Sequence, residues 1–278
     1  MRGSEIKAAL HSGRRIYGIA VEGYSQPRWP RNFAQYDLDF VFIDTEHTPQ
    51  ERQTLSWAAQ AYAANNIAPF VRIAEPSPTL AAQCLDFGAQ GVIVPYVETV
   101  EQVKGMVGAV KYRPLKGAAL RAVLDEGHFP NVETEEYLEH YNAEAVLIIM
   151  IESPEGVKNL PAMLADGKVD GVLLGPHDFS VSHGIPEQIE HPVFEAAFKE
   201  VIAICKANQV GVGIHYTSGG MQLQEKWIEW GCNLIVHLTD TIFVARGIAD
   251  SLSALRKKFG DDVADVDADK IGLSGHAV

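Results

Sequence analysis

Hydrophobic residues recur along the chain in short runs separated by longer amphipathic stretches. Runs at 16–22, 40–45, 69–73, 91–97, 145–152, 171–174, 210–215 and 234–238 are rich in β-branched and aliphatic residues. Several are apolar throughout, the pattern of a strand buried on both faces. Between them the apolar positions follow a helical period, at 49–63, 78–87, 100–110, 154–164, 191–208, 220–230 and 242–259. In the first of these, Leu55, Ala58, Ala59 and Tyr62 share one stripe. Pro49, Pro78, Pro154 and Pro192 stand at the expected helix starts, where a missing N–H costs nothing. Eight strand–helix units in succession predict a (β/α)8 TIM barrel rather than a doubly wound sheet. The segment 118–142 is a polar, partly helical excursion after the fourth unit. No shift in composition marks a second domain. The reading is one barrel over 1–259 and a flexible, acidic, partner-clasping tail over 260–278.

Composition narrows this picture. The chain has 278 residues, near the roughly 250 typical of such barrels. Its net charge is -13, from 36 acids against 23 bases, and an acidic chain repels phosphate backbones, which argues against nucleic acid as a partner. Residues 1–10 lack the apolar core of a signal segment, and the longest apolar run, 145–151, is too short to span a bilayer. Cys84, Cys205 and Cys232 are widely spaced with no Cys-x-x-Cys pair. Neither a disulfide framework nor a thiolate zinc site is indicated, and a reducing cytoplasm is expected.

In barrels, chemistry sits where strands end. There the sequence collects Asp44-Thr45-Glu46-His47, Arg72, Glu152, Gly175-Pro176-His177-Asp178, His215-Tyr216 and His237-Leu238-Thr239-Asp240. Glu152 and Asp178 close adjacent strands, so their oxygens can converge on one hard cation. Each alone could equally serve as a helix cap, since Pro154 and Phe179 follow closely. Arg72 can stabilise an enolate oxygen, and His47 can move protons near neutral pH, with Asp44 three residues earlier to orient it. A salt bridge across the rim and a helix N-terminal hydrogen bond are the structural alternatives for these two. No lysine lies inside an expected strand, which disfavours a Schiff-base mechanism.

These residues resemble the HpcH/HpaI family of metal-dependent pyruvate aldolases, macrophomate-synthase-like members included. Phe42-Ile43-Asp44-Thr45-Glu46-His47 is similar to its Ile-Asp-Gly-Glu-His. Phe70-Val71-Arg72, the Leu85-Asp86-Phe87-Gly88 turn with Val94-Pro95, Ile151-Glu152, and Asp170-Gly171 through Gly175-Pro176-His177-Asp178 also match. The likeness covers roughly residues 5–258. It implies a carbon–carbon lyase that cleaves or forms a 4-hydroxy-2-oxo acid, to or from pyruvate and an aldehyde, through an enolate held by Mg²⁺, Mn²⁺ or Co²⁺. Oxaloacetate decarboxylation with transfer of the enolate is the alternative, and a barrel repurposed for metabolite binding is disfavoured by the intact acid–arginine–histidine set.

The resemblance also implies roles. His47 is the base supported by Asp44, Arg72 binds the enolate oxygen, and Glu152 and Asp178 hold the metal. Gly175 and the amides of His177 and Asp178 hold the substrate carboxylate. Asp86 reaches a neighbouring subunit's site in a hexamer, a trimer of dimers that exchange their last helices. The chain departs from the family in Met150, where Gln is usual, in the loop 113–121, and in His215 and His237, where aliphatic side chains usually face the acceptor. The loop 216–221, with Gly219-Gly220, is longer.

Overall fold

The computed structural model describes residues 1–23, 26, 28–216 and 221–263. Most of the expected tail and the Gly219-Gly220 loop lie outside the described residues. In chain order the elements are α1 (Gly3–His11), β1 (Ile16–Val21), α2 (Arg28–Phe33), β2 (Phe40–Asp44), α3 (Arg52–Ala64), β3 (Ala68–Arg72), α4 (Pro78–Asp86) and β4 (Gly91–Val94). There follow α5 (Val100–Lys111), α6 (Gly117–Glu126), α7 (Val132–Tyr141), β5 (Val146–Ile151), α8 (Pro154–Met163), β6 (Gly171–Leu174) and α9 (Pro176–Ser182). The last elements are α10 (Pro192–Ala207), β7 (Gly211–Tyr216), α11 (Met221–Trp230), β8 (Leu234–Thr239) and α12 (Asp240–Phe259). The eight strands pair in parallel, in sequence order, into a closed barrel. Among the described residues no helix is long and apolar enough to cross a membrane.

Strand alternation divides the core in two. Ile19, Val21, Val41, Ile43, Leu147 and Ile149, with their counterparts, pack outward under the helices. Phe40, Phe42, Phe70, Ile148, Met150 and Val236, with theirs, fill the barrel itself. The rings of Phe40 and Phe70 stack at 5.1 Å. A Cβ at Gly91 would lie 2.3 Å from the Phe70 ring, so glycine is what makes room for it. Ile6, Ala9 and Leu10 of α1 join the inner cluster and close the barrel floor. This nine-residue helix escapes a periodicity search because only one short face of it is apolar.

The helices depart from expectation in a few places. Helix α3 begins at Arg52 with Glu51 as N-cap, not at Pro49. The excursion resolves into α6 and α7, the second capped by Asn131, whose side chain accepts from Thr134 N–H. The largest departure is α12. It is 20 residues long, yet only Asp240 and Ile242 are buried, while Phe243, Val244, Ile248, Leu252, Leu255 and Phe259 are exposed. Beside it lies an apolar cavity of about 840 Å³ between β1, β8, α2 and α11, lined by Ile19, Phe33, Leu38, Ile228 and Phe243 among others.

Candidate active site

Extending the inward positions of each strand by two residues leads from the apolar barrel interior to its C-terminal mouth. The series 18, 20 ends in Glu22, 40, 42 in Asp44, and 68, 70 in Arg72. On the far side 148, 150 ends in Glu152, 173 in Gly175, and 211, 213 in His215. Parity alone therefore brings four charged side chains to one opening.

Arg72 anchors one side and is only 4% exposed. Its Nε donates to Asp44 Oδ1 at 2.8 Å, its Nη1 lies 3.2 Å from Glu46 Oε2, and its guanidinium sits over the Phe42 ring at 5.2 Å. Burial opposes its charge, but the bond and charge of Asp44, with Glu46 and Glu152, outweigh burial and raise its pKa. Burial likewise pushes the Asp44 carboxyl up, and the bond and charge of Arg72 more than offset it, so Asp44 stays ionised. Asp44 also accepts from the peptide N–H of Glu46 (3.0 Å) and His47 (3.3 Å), which fixes the turn carrying the histidine. The His47 imidazole is exposed, its Nε2 3.7 Å from Glu46 Oε2.

Glu46 stands in the strand-end cluster of the sequence without a role of its own. Its Oε2 is buried and touches Arg72 at an angle that makes an ion contact but no hydrogen bond. Burial pushes its pKa up to about 7, with Asp44 and Asp178 adding and Arg72 subtracting. The signal was present: Glu46 continues the inward series through Asp44.

Across the mouth, Glu152 is 5% exposed. Its Oε2 accepts from Tyr96 N–H at 2.7 Å, and the Tyr96 hydroxyl donates to Asp178 Oδ1 at 3.1 Å. Tyr96 thus bridges the two acids; its backbone at φ 52° makes its placement illegible from sequence. A Cβ at Gly175 would stand 2.3 Å from Glu152 Oε1, so that glycine leaves the space the carboxylate occupies. Burial, against the Tyr96 N–H bond and Arg72 and with Asp178 and Glu46 adding, pushes the Glu152 pKa up to about 7. A buried, incompletely compensated carboxylate beside a second one is a donor pair suited to a hard divalent cation. Among the described residues no group of three or more His, Cys, Asp or Glu is arranged to hold a metal ion. The two carboxylates that Tyr96 ties together have the donor chemistry such a cation would require.

The remaining expected residues divide. His215 is at the mouth, its ring stacked on Phe42 at 4.4 Å. His177 lies on α9 with its ring turned to Glu187, so only its backbone faces the Gly175 turn. His237 is a correction. It belongs to the outward series of Ile235, bonds Gln224, packs on Phe243 at 5.6 Å and lines the outer cavity. A one-residue difference in parity turns it away from the mouth, so it does not face an acceptor within its own chain. Asp86 ends α4 at the floor end of the barrel, exposed, with Arg113 Nη1 2.8 Å away. The structure does not bring it to its own chain's mouth. Buried Lys111 has its pKa lowered by burial, but it ends α5 at the floor and pairs with Asp170.

This is the mouth of a (β/α)8 enzyme built around a carboxylate pair, an arginine and a histidine. Residues 23–237 match the HpcH/HpaI aldolase/citrate lyase family, and the chain belongs to that family of carbon–carbon bond enzymes. It is 30% identical to a hydroxypyruvate/pyruvate aldolase of Pseudomonas aeruginosa, over 89% of this chain and 91% of that one. It is 31% identical to a 4-hydroxy-2-oxo-heptane-1,7-dioate aldolase of Shigella sonnei (strain Ss046), over 92% and 95%. Among solved structures, macrophomate synthase superposes with a TM-score of 0.71 at 26% identity, covering 92% of this chain and 90% of that one.

Proposed function

We propose that this chain is a divalent-metal-dependent pyruvate aldolase, a lyase that joins or separates pyruvate and an aldehyde. The observation that carries the reading is the meeting of Arg72, held by Asp44 and Glu46, with the Tyr96-bridged Glu152–Asp178 pair at one mouth. Glu152 and Asp178 would hold Mg²⁺, Mn²⁺ or Co²⁺, and the cation, when bound, supplies Lewis-acid polarisation of a 2-oxo acid.

The chain's own groups account for the rest. Arg72 carries a fixed positive charge to the oxygen on which enolate charge develops, in a site too buried for water to screen it. The first-turn amides of His177 and Asp178, just past the Gly175 turn, offer N–H donors to a carboxylate. His47, on the turn that Asp44 fixes, moves the protons. In cleavage the C4 hydroxyl gives up its proton, the C3–C4 bond breaks, the aldehyde leaves, and the pyruvate enolate is protonated at C3. In synthesis the same atoms run in reverse.

The assembly belongs to the same proposal. The exposed apolar stripe of α12 and the open 840 Å³ cavity beside it are complementary features of one chain. Two copies exchanging α12 would cover both, and three such dimers in a hexamer would bring Asp86 to a neighbour's site. Three buried free cysteines suit a reducing cytoplasm. The test is metal titration with pyruvate and an aldehyde panel. Glu152→Gln and Asp178→Asn should each abolish cation binding by calorimetry and aldol turnover with it. Retention of both in either variant refutes the assignment.

A further inference from the structure

We propose that Glu22 selects the acceptor aldehyde, favouring neutral hydroxylated acceptors and disfavouring those that carry a carboxylate. The proposal rests on the aldolase reading and adds the acceptor class to it. Strands β1 and β5 are four apart in a ring of eight, so Glu22 lies across the mouth from Glu152. With pyruvate taken by the Glu152, Asp178 and Arg72 side, and with Asp44 and Glu46 held against Arg72, the inward rim positions left for the acceptor include Glu22 and His215. His215 has one ring face committed to Phe42. Glu22 is therefore the carboxyl that an acceptor's substituents meet.

Its position is fixed rather than incidental. The N–H groups of Glu22 and Gly23 donate to buried Asp240 at 3.0 and 3.3 Å, and Asp240 also accepts from Thr241 N–H at 2.8 Å. This ties the end of β1 to the start of α12. Among the described residues the side-chain bond of Glu22 is a long one, from Thr241 Oγ1 at 3.5 Å to Oε2. Most of its hydrogen-bonding capacity is left for a ligand. Burial, then Asp44 and Asp240, push its pKa up to about 6, against Arg72 and Thr241. Near neutral pH it is mostly ionised in a partly dry, negatively biased setting. A hydroxyl can donate to it there, and a second carboxylate is repelled.

The experiment measures kcat/KM for glyceraldehyde and for succinic semialdehyde, with pyruvate as donor, in the full chain, Glu22→Gln and Glu22→Ala. Pyruvate C3 proton exchange is followed in parallel. The amide keeps a hydrogen-bonding end without the charge. Glu22→Gln should therefore raise succinic semialdehyde use about tenfold and hold glyceraldehyde within about threefold. Glu22→Ala should lower glyceraldehyde use about tenfold as well as relieving the discrimination. A ratio unchanged in both variants while exchange persists overturns the role of Glu22, as does an equal fall for both acceptors. Absence of both exchange and addition in the unaltered protein overturns the aldolase reading, and this proposal with it.

Discussion

Replacing Arg72 separates its structural duty from its chemical one. The guanidinium is buried with Asp44, which is 2% exposed, at 2.8 Å, and with Glu46 at 3.2 Å. Arg72→Ala leaves Asp44 with two peptide N–H donors and no countercharge. Breaking one side of a buried pair costs about 3–5 kcal/mol, and the packing over Phe42 is lost as well. Arg72→Ala/Asp44→Asn removes both charges. It should recover stability to within about 1–2 kcal/mol of the unaltered protein. Turnover should not follow. An oxyanion-stabilising group is worth roughly 10²–10³-fold in kcat, and the double variant lacks it. Arg72→Lys keeps a charge but not the fork that spans two carboxylates, so it should fold and still lose most aldol activity. Urea unfolding followed by circular dichroism, with pyruvate–glyceraldehyde addition on the same samples, reads both effects. Recovery of turnover in the double variant would refute the chemical role. A stability loss below about 1 kcal/mol for Arg72→Ala would refute the buried-pair account.

Glu22 has its folded-state pKa raised from 4.5 to about 6. The folded state thus holds this proton longer than the unfolded one, and stability falls as pH rises through that window and stays lower above it. In chelator-treated protein, Glu22→Gln should gain about 1–2 kcal/mol at pH 8 and nothing at pH 4, by thermal or urea unfolding; equal effects at both pH values contradict the shift. Ile248 and Leu252 are 55% and 51% exposed in the single chain, so Ile248→Asp/Leu252→Asp should barely affect a monomer but should lower the assembly mass in light scattering. An unchanged mass contradicts exchange of α12. His215→Leu should alter the acceptor spectrum and His237→Val should not affect it directly, because only His215 stands at the mouth.

Most of the barrel was legible because its strands are runs of apolar residues whose ends coincide with acids, an arginine or a glycine. The eight strands fall within one or two residues of their expected bounds except β4, where the chain leaves the sheet at Val94, ahead of the positive φ at Tyr96. The short helices α2 and α9 gave too few turns for a period to register. At the mouth, Asp44, Arg72, Glu152 and Asp178 were readable from their positions alone, and Glu46 and Glu22 were readable by parity, without a role of their own. Tyr96 was not readable, because a backbone reversal rather than a strand aims it. His237 misled because the step from β8 into α12 passes through a positive φ at Leu238, and β8 shifts register against β1. Parity counted from the loop and parity counted from the strand then disagree.

The central claim is that the mouth forms a pyruvate enolate with a cation, Arg72 and His47, and without a lysine. Exchange of the pyruvate C3 protons into deuterium oxide, followed by NMR, tests it without needing the natural acceptor. The account predicts exchange with Mg²⁺, Mn²⁺ or Co²⁺, loss of exchange in excess chelator, and a fall of about 10²–10⁴-fold in His47→Ala. Full exchange in excess chelator, with a lysine trapped on pyruvate by borohydride, would contradict it.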